Sequence, residues 1–529
     1  MSTLTMVSRD SIITSKEDYE RTETLEIPDA EFPVVDEIKE AQATLRAQKK
    51  AEGLKPIQKT TRTNSKCPYE TIEEEQEERH QVVEEHLKVY RKVFPRLMKE
   101  FKKIKDPRDP QKIEHKLISV LIYGIFLFIL KIPSRRQANK ILTRPQFLEN
   151  IRTIFPELQE VDDLPHGDTV NRILSEIDVE KIQIIKIKLI KQLMRNKKFD
   201  RYKRSGRYII NIDGTQKFCS YHPFSKEALQ RNVSTKEGKK TQYYVYILEA
   251  NLAFVNGLSI PLLTEFCEFS KGDIENDKQD CEQRAFKRLG RRLKKLFPRL
   301  PITINLDGLY PNGPIMSFCR NYNWDFMMVL KDDQLPQVYE EAKRLKRLCP
   351  ENTLENIWGD RKQNFWWVND IEYNYGNNGH HTEIVHVVVC EETWQEVNKE
   401  GKIVEKSRKF VWISAKPITE NNVVSRCNKI GRHRWDIEEE ILVEKHHGYQ
   451  LEHAFSKDWT AMKAFHYIMQ LARLLDILCH YSIDLYERIQ SLGHLGLVMF
   501  FRETLLATVL DKNRIRKFLK RRHYLQLIW

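Results

Sequence analysis

Two aspartates far apart in the chain have the surroundings of metal-binding residues. Asp213 and Asp307 each follow an apolar run that predicts a β-strand, and a glycine comes directly after each of them. Open α/β sheets bind ligands at the carboxyl ends of their strands. Carboxylate oxygens suit hard divalent cations, and two such cations about 3.5–4 Å apart support phosphodiester transfer. Since Asp-Gly is also an ordinary turn signal, a pair of simple turns stays an open alternative.

Glu438 is the third acidic candidate because of its neighbours on a predicted helix. Arg434 precedes it by four positions, and Lys445 follows it by seven. At 100° per residue, the three side chains fall within about 40° of one another around a helix axis. The carboxylate would then lie between two cations, as a site for a metal ion and a phosphate requires. The alternative is a solvated helix face with ion pairs at helical spacing.

The elements that must position these residues belong to an α/β core. Period-two apolar runs predict strands, and longer amphipathic segments predict helices between them. The order of strands and helices indicates a mixed sheet whose first strands are antiparallel. The predicted strands of the core are 207–212, 243–250, 257–264, 302–306 and 325–330, and its predicted helices are 278–296 and 315–322.

Changes in composition divide the chain into six predicted segments. A polar arm predicted to be disordered or weakly helical comes first, an all-helical basic domain follows, and a β insertion interrupts the α/β core. The predicted bounds are 1–66 for the arm, 67–200 for the helical domain, 201–354 for the first part of the core, 355–415 for the β insertion, 416–483 for the second part of the core and 484–529 for basic C-terminal helices.

The composition favours a polyanionic partner and argues against several other classes. Among 529 residues, 88 Lys and Arg outnumber 75 Asp and Glu, which gives a net charge of +13. Such an excess suits nucleic acid. The nine cysteines form no C-x-x-C pair, which argues against a disulfide framework or a structural zinc site. The most apolar stretch, 117–130, is too short to span a bilayer, and no signal-peptide pattern opens the chain. We therefore expect a cytoplasmic protein.

The segment around Glu438 resembles a known signature. Bacterial insertion-sequence transposases of the DDE class include a group marked by Tyr-x2-Arg-x3-Glu-x6-Lys. Arg434, Glu438 and Lys445 match that spacing, and Trp435 and Ile437 fit the usual Arg-Trp-x-Ile-Glu core. The chain is therefore similar to this group at the motif that carries its third carboxylate.

Other segments extend the resemblance over roughly residues 80–480. Asp213-Gly214-Thr215 resembles the first aspartate motif of the group, and Leu306 to Tyr310 resembles the second. Residues 133–139, 164–170 and 448–453 resemble sequence segments found in one subset of these transposases. The β insertion also fits, since the group splits its catalytic fold at that point.

The resemblance implies a fold, an activity and partners. The fold would be a ribonuclease-H-like mixed sheet with a β insertion, preceded by the helical domain and followed by C-terminal helices. Asp213, Asp307 and Glu438 would be the catalytic residues and would bind two Mg²⁺ ions, for which Mn²⁺ may substitute. The activity would be cleavage of double-stranded DNA at the terminal repeats of an element and strand transfer into target DNA. The partners would be that DNA and a second copy in a homodimer, with no membrane, in the bacterial nucleoid.

The residues expected to contact DNA lie in two parts of the chain. The signature tyrosine would fall on Gly431. If the helix continues past Gly448, Tyr449 lies on roughly the same helix face as Arg434, Glu438 and Lys445 and could take the place of that tyrosine. Glu452 is a weaker alternative for the third carboxylate. The expected DNA contacts are Arg434, Trp435, Lys445, Tyr449, Arg135 and Arg136.

Several alternatives stay open at this level. A nuclease of the same fold could cut DNA without strand transfer, and a non-catalytic DNA-binding relative would be expected to have lost a carboxylate. The basic helix within 284–295 and the basic tail at 512–523 could contact phosphates or be solvated faces. Trp366 and Trp367 could pack within the insertion or stack on bases.

Overall fold

The computed structural model of the protein describes residues 35–55, 66–155, 158, 163–236, 238–254, 256–271, 279–331 and 334–528. Its strands are β1 (Tyr208–Ser220), β2 (Leu229–Thr235), β3 (Gly238–Ala253), β4 (Ser259–Phe266), β5 (Ile302–Leu306), β6 (Asp325–Val329), β7 (Thr353–Trp358), β8 (Arg361–Tyr375), β9 (His381–Val397) and β10 (Ile403–Ser414).

The α-helices of the described residues come in three groups along the chain. Those before the sheet are α1 (Val35–Ala51), α2 (Ile72–Phe101), α3 (Leu117–Ile129), α4 (Arg135–Ile141), α5 (Pro145–Ile154), α6 (Gly167–Glu176) and α7 (Val179–Arg195). Those between strands are α8 (Glu282–Leu296), α9 (Gly313–Asn321) and α10 (Pro336–Leu345). Those after the sheet are α11 (Glu420–Lys429), α12 (Trp435–His446), α13 (Trp459–His480), α14 (Tyr486–Ala507) and α15 (Lys512–Leu519).

The ten strands form one mixed sheet, which confirms the predicted α/β class. Their order is β2-β3-β1-β5-β6-β10-β9-β8-β7, and β4 pairs with β3 beside this path. β3 runs antiparallel to β1, β2 and β4, whereas β5 runs parallel to both β1 and β6. β10 joins the sheet antiparallel to β6. The strands predicted as an insertion therefore continue the main sheet.

The segments predicted from composition contain the following elements. Helix α1 lies in the predicted disordered arm, whose residues 1–34 and 56–65 fall outside the described ones. The described part of 67–200 is helical, with α2 to α7 and no strand. By contact density the chain divides into two compact units, and the smaller one contains α1 with Ile357–Lys362 and Glu392–Arg408. Within that unit, Lys49 Nζ donates to Asp360 Oδ2 at 2.5 Å.

The apolar stretch at 117–130 is a core helix, as predicted. Every residue of α3 except Ile118 is buried, and α3 packs against α13. No helix among the described residues is both long and apolar enough to cross a membrane. None of the nine cysteines, all of which lie among the described residues, forms a disulfide.

Charged side chains are also buried in the core of the larger unit. Lys131 Nζ lies 2.6 Å from Asp476 Oδ2, with side-chain exposures of 1% and 3%. Tyr449 donates its hydroxyl to the same carboxylate at 2.5 Å. Burial lowers the pKa of Lys131 to about 8, against the opposing effect of Asp476. Because removing one partner leaves a buried charge uncompensated, Asp476 is necessary for the packing of α13 against the end of α3.

We expect Asp476→Ala to lower the free energy of unfolding by about 3–5 kcal/mol, because Lys131 then keeps a buried charge without its carboxylate. Urea denaturation measures the change. The control is Glu340→Ala, which removes the exposed Glu340–Lys343 pair and should cost less than about 1 kcal/mol. Equal losses in the two variants would show that the buried pair contributes no more than an exposed one.

Candidate active site

Asp213 and Asp307 lie side by side at one edge of the sheet. The parallel ladder between β1 and β5 ends with the pair Asn211–Asn305, and each aspartate follows two residues later. The prediction that Asp213 ends its strand was wrong, because β1 continues to Ser220 along its other neighbour, β3. Asp213 instead marks the point where β1 separates from β5, and a cleft between parallel strands can open there.

Each aspartate also accepts a hydrogen bond from a nearby backbone N–H. Asp213 Oδ1 accepts from the Gly214 N–H at 2.8 Å, and Asp307 Oδ1 accepts from the Leu309 N–H at 2.9 Å. The turn interpretation of Asp-Gly is correct for Asp307, which follows the end of β5, and wrong for Asp213, because β1 continues through Gly214. These bonds fix the orientation of both side chains at the sheet edge.

Two buried asparagines attach the helical segment to this edge. The Asn305 side-chain amide donates to the Ile430 carbonyl at 2.8 Å, and the Asn211 amide donates to the His433 carbonyl. Both asparagines are fully buried. Sequence analysis missed them, although each stands two residues before a candidate aspartate. They fix the turn that leads into α12 directly over the ends of β1 and β5.

Arg434 connects two of the three predicted carboxylates. Its guanidinium lies 2.6 Å from Glu438 Oε1 and 3.6 Å from Asp213 Oδ2. The Arg434 side chain is only 8% exposed, whereas Glu438 is 47% exposed. Arg434 directly precedes α12 and has helical backbone angles, so the predicted four-residue spacing does place it beside Glu438. The structure thus brings Asp213, Asp307, Arg434 and Glu438 into one neighbourhood.

Glu282, which sequence analysis did not single out, adds a fourth carboxylate. Tyr310 donates to its Oε1 at 2.6 Å, and Tyr246 donates to its Oε2 at 2.8 Å. A Cβ at position 214 would lie 2.6 Å from Glu282 Oε2 and 2.4 Å from the Tyr246 hydroxyl. Close packing therefore requires Gly214. No local pattern marks Glu282, because its two tyrosines come from β3 and from the loop after β5.

Burial and negative neighbours raise the pKa of Asp213 to about 6. Burial has the largest effect. The Gly214 N–H and the Arg434 guanidinium lower this pKa, while the carboxylates of Asp307 and Glu282 raise it. The ionised form of Asp213 is therefore destabilised in the folded protein, and a bound cation would favour it.

Gly431 takes the place of the signature tyrosine for a steric reason. A Cβ at this position would lie 2.8 Å from the Trp412 indole nitrogen. Trp412 comes from β10, is buried and stacks on Phe410 with ring centroids 5.7 Å apart. The indole therefore fills the space that a side chain at 431 would need.

The prediction that Tyr449 contacts DNA was wrong. Helix α12 ends at His446, before the left-handed Gly448 (φ +88°). Tyr449 therefore does not lie on the helix face that carries Glu438 and Lys445. Its side chain is fully buried, with Lys131 Nζ 3.3 Å from its ring centroid. Tyr449 is a core residue.

The remaining predicted residues are at or near the surface. Lys445 lies on α12 and pairs with Glu452 at 2.8 Å, so Glu452 neutralises a cation rather than replacing Glu438. Trp435 is partly exposed, with the Arg434 guanidinium 5.4 Å from its ring centroid. In α4, Arg135 pairs with Asp168 at 2.8 Å, and Arg136 is exposed.

The two tryptophans in the predicted insertion support the packing interpretation. Trp366 and Trp367 are 6% and 4% exposed. They lie on β8, within the main sheet. Neither presents a free ring face for base stacking.

We expect Asp213→Asn to stabilise the protein in a pH-dependent way. The folded-state pKa of Asp213, about 6, lies above its unfolded value, so its ionisation opposes folding as the pH rises from about 4 to 6. The variant should gain up to about 3 kcal/mol relative to wild type at about pH 8, and nothing below about pH 4. Urea denaturation across this range measures the difference. Glu439→Gln, at an exposed neighbouring position, is the control, and a constant difference across the range would contradict the burial argument.

One family comparison matches part of the chain. Residues 98–189, from the last turn of α2 into α7, match the family described as DDE_Tnp_1-associated. This region contains Arg135 and Arg136 but none of the three predicted carboxylates. Comparison with curated proteins gives no significant match. The match to 98–189 relates the chain to the DDE-type transposases in general.

Proposed function

We propose that the protein is a DDE transposase with a ribonuclease-H-like core, which cuts DNA at element ends and transfers the cut strand into target DNA. The observation that carries this proposal is the parallel register of β1 and β5, which sets Asp213 beside Asp307. Glu438 is joined to them through Arg434. The family match at 98–189 supports the same function from a separate part of the chain.

Asp213, Asp307 and Glu438 are the proposed ligands of two Mg²⁺ ions, with Mn²⁺ as a substitute. Their oxygens suit such cations, and a bound cation would stabilise the ionised form of Asp213, whose pKa burial and the neighbouring carboxylates raise. Bound Mg²⁺ would supply activation of the nucleophile and stabilisation of the leaving oxygen. Among the described residues, no three acidic, histidine or cysteine side chains are already arranged as a metal cluster. Because the Arg434 guanidinium contacts both Asp213 and Glu438, metal binding would require it to release at least one of these carboxylates.

The proposed trigger for that release is a DNA phosphate. Arg434 now serves as the counter-ion of Asp213 and Glu438. A phosphate at the mouth of the site offers the guanidinium a bidentate anionic partner. Lys445, which pairs with Glu452, would hold a second phosphate, and Trp435 lies beside Arg434 to pack on the strand. Arg434 would thus exchange carboxylates for substrate.

The proposed reaction has two steps that use the same residues. Water cleaves the bond between phosphorus and the 3′-oxygen at the element end, which frees a 3′-hydroxyl and leaves a 5′-phosphate on the flanking fragment. That hydroxyl then attacks a target phosphodiester in line, so that a new phosphorus–oxygen bond forms and the 3′-oxygen of the target strand leaves. The helical region with Arg135 and Arg136 would recognise the terminal repeats. A homodimer would bring the two ends together.

Cleavage of DNA taken from the flanks of the gene tests the proposal. We expect wild type to cleave it only with Mg²⁺ or Mn²⁺, whereas Asp213→Asn, Asp307→Asn and Glu438→Gln each lose about 10²- to 10³-fold in rate, the scale of losing an electrostatic catalytic group. DNA binding should persist in all three variants. Glu439→Gln, the next carboxylate on α12, is the matched control and should cleave like wild type.

Three outcomes contradict the proposal in different ways. Equal losses in the control and the three variants would remove the specific role of these carboxylates. Cleavage without joining, when a pre-cut end is supplied with target DNA, would identify a nuclease. Binding without any cleavage by wild type would identify a non-catalytic DNA-binding protein.

A further inference from the structure

Helix α8 carries cations on two sides, and on one side two arginines form ion pairs within the fold. Arg288 pairs with Glu265 at 2.7 Å and with Asp280 at 2.5 Å. Arg292 pairs with Glu180 at 2.7 Å and with Glu265 at 2.9 Å. Both arginines therefore have structural carboxylate partners.

The other side of α8 is a row of cations that is not neutralised. Lys287, Arg291 and Lys295 are four residues apart, so their side chains project within about 80° of one another. Lys287 is partly exposed, and Arg291 and Lys295 are exposed. Within the described part of the chain, no carboxylate lies within ion-pair distance of these three side chains. We call these three residues the α8 track.

The α8 track begins close to the candidate active site. Glu282, the first residue of α8, is hydrogen bonded to Tyr310 beside Asp307, and the Gln283 side chain donates to the Leu309 carbonyl at 3.2 Å. At 1.5 Å per residue, the track starts about 8 Å along the helix from Glu282 and ends about 20 Å from it. The opposite face of α8 is buried in the core, so the track cannot turn inward.

We propose that the α8 track binds the phosphate backbone of the DNA segment next to the scissile position. This inference rests on the proposed function and deepens it. One strand of duplex DNA presents a phosphate about every 3.4 Å along its axis, so the roughly 12 Å between Lys287 and Lys295 matches three or four phosphates. Long flexible cations without apolar neighbours on the stripe suit a sugar–phosphate backbone, which carries no sequence information. The α8 track therefore holds DNA in place without selecting its sequence.

The test compares two full-length variants that each lose three positive charges. One carries Lys287→Gln, Arg291→Gln and Lys295→Gln in the α8 track. The control carries Lys343→Gln, Arg344→Gln and Arg347→Gln, which are exposed cations at the end of α10. Fluorescence anisotropy with a labelled duplex from the gene's flanks measures affinity over a series of salt concentrations. Circular dichroism checks that both variants are folded.

We expect the track variant to lose at least about tenfold in affinity and the slope of log K against log[salt] to become shallower by about 2–3, since each phosphate contact contributes about 0.9. The control should keep the wild-type slope. Equal changes in both variants would mean that net charge alone acts, and an unchanged slope in the track variant would mean that the track faces solvent or another partner. Either result overturns the inference.

Cleavage by the same proteins separates this inference from the proposed function. If the wild-type protein cleaves DNA and the track variant keeps the wild-type salt slope, the DNA-binding role of the α8 track is rejected and the transposase proposal stands. If DNA binding depends on the α8 track but the wild-type protein does not cleave DNA, the role of the track stands and the catalytic proposal is rejected.

Discussion

The parallel pairing of β1 with β5 is the constraint on which the site depends. Two residues after their last register pair, Asn211 and Asn305, the chain presents Asp213 and Asp307 at the same edge. The same two asparagines hold the backbone before α12. One register therefore fixes the aspartates and also places Arg434 above them. A slip of one residue in either strand would turn the aspartate of that strand to the opposite face of the sheet.

Electrostatic balance is the second requirement of the site. Asp213, Asp307 and Glu282 raise the local negative charge, and Arg434 offsets it from a buried position. Tyr246 and Tyr310 hold Glu282 by both oxygens. An arrangement of this kind is stable without metal only while the guanidinium stays between the carboxylates. The exchange of Arg434 from carboxylate to phosphate would couple DNA binding to metal binding.

The sequence predicted those parts of the site that depend on local patterns. Apolar runs before Asp213 and Asp307 located two neighbouring strands, of which only β5 ends before its aspartate. Helical spacing placed Arg434 beside Glu438. The α/β class and the core position of the 117–130 helix followed from periodicity and length in the same way. All these features depend on residues that are close together in sequence.

Other features depend on contacts between distant segments, and no local pattern contains them. Trp412 on β10 occupies the space at Gly431, and Lys131 and Asp476 hold Tyr449 in the core. Glu282 becomes part of the site only because tyrosines from two other elements reach it. Asn211 and Asn305 were visible as a repeated Asn-x-Asp pattern, but their role depends on a helix that begins more than a hundred residues later.

Anomalous diffraction from crystals of the full chain with Mn²⁺ and a DNA end tests the central claim most directly. The account predicts Mn²⁺ bound by Asp213, Asp307 and Glu438, with the Arg434 guanidinium moved from at least one carboxylate to a phosphate. Mn²⁺ bound elsewhere, with Arg434 still joining Asp213 to Glu438 in the DNA complex, would contradict it.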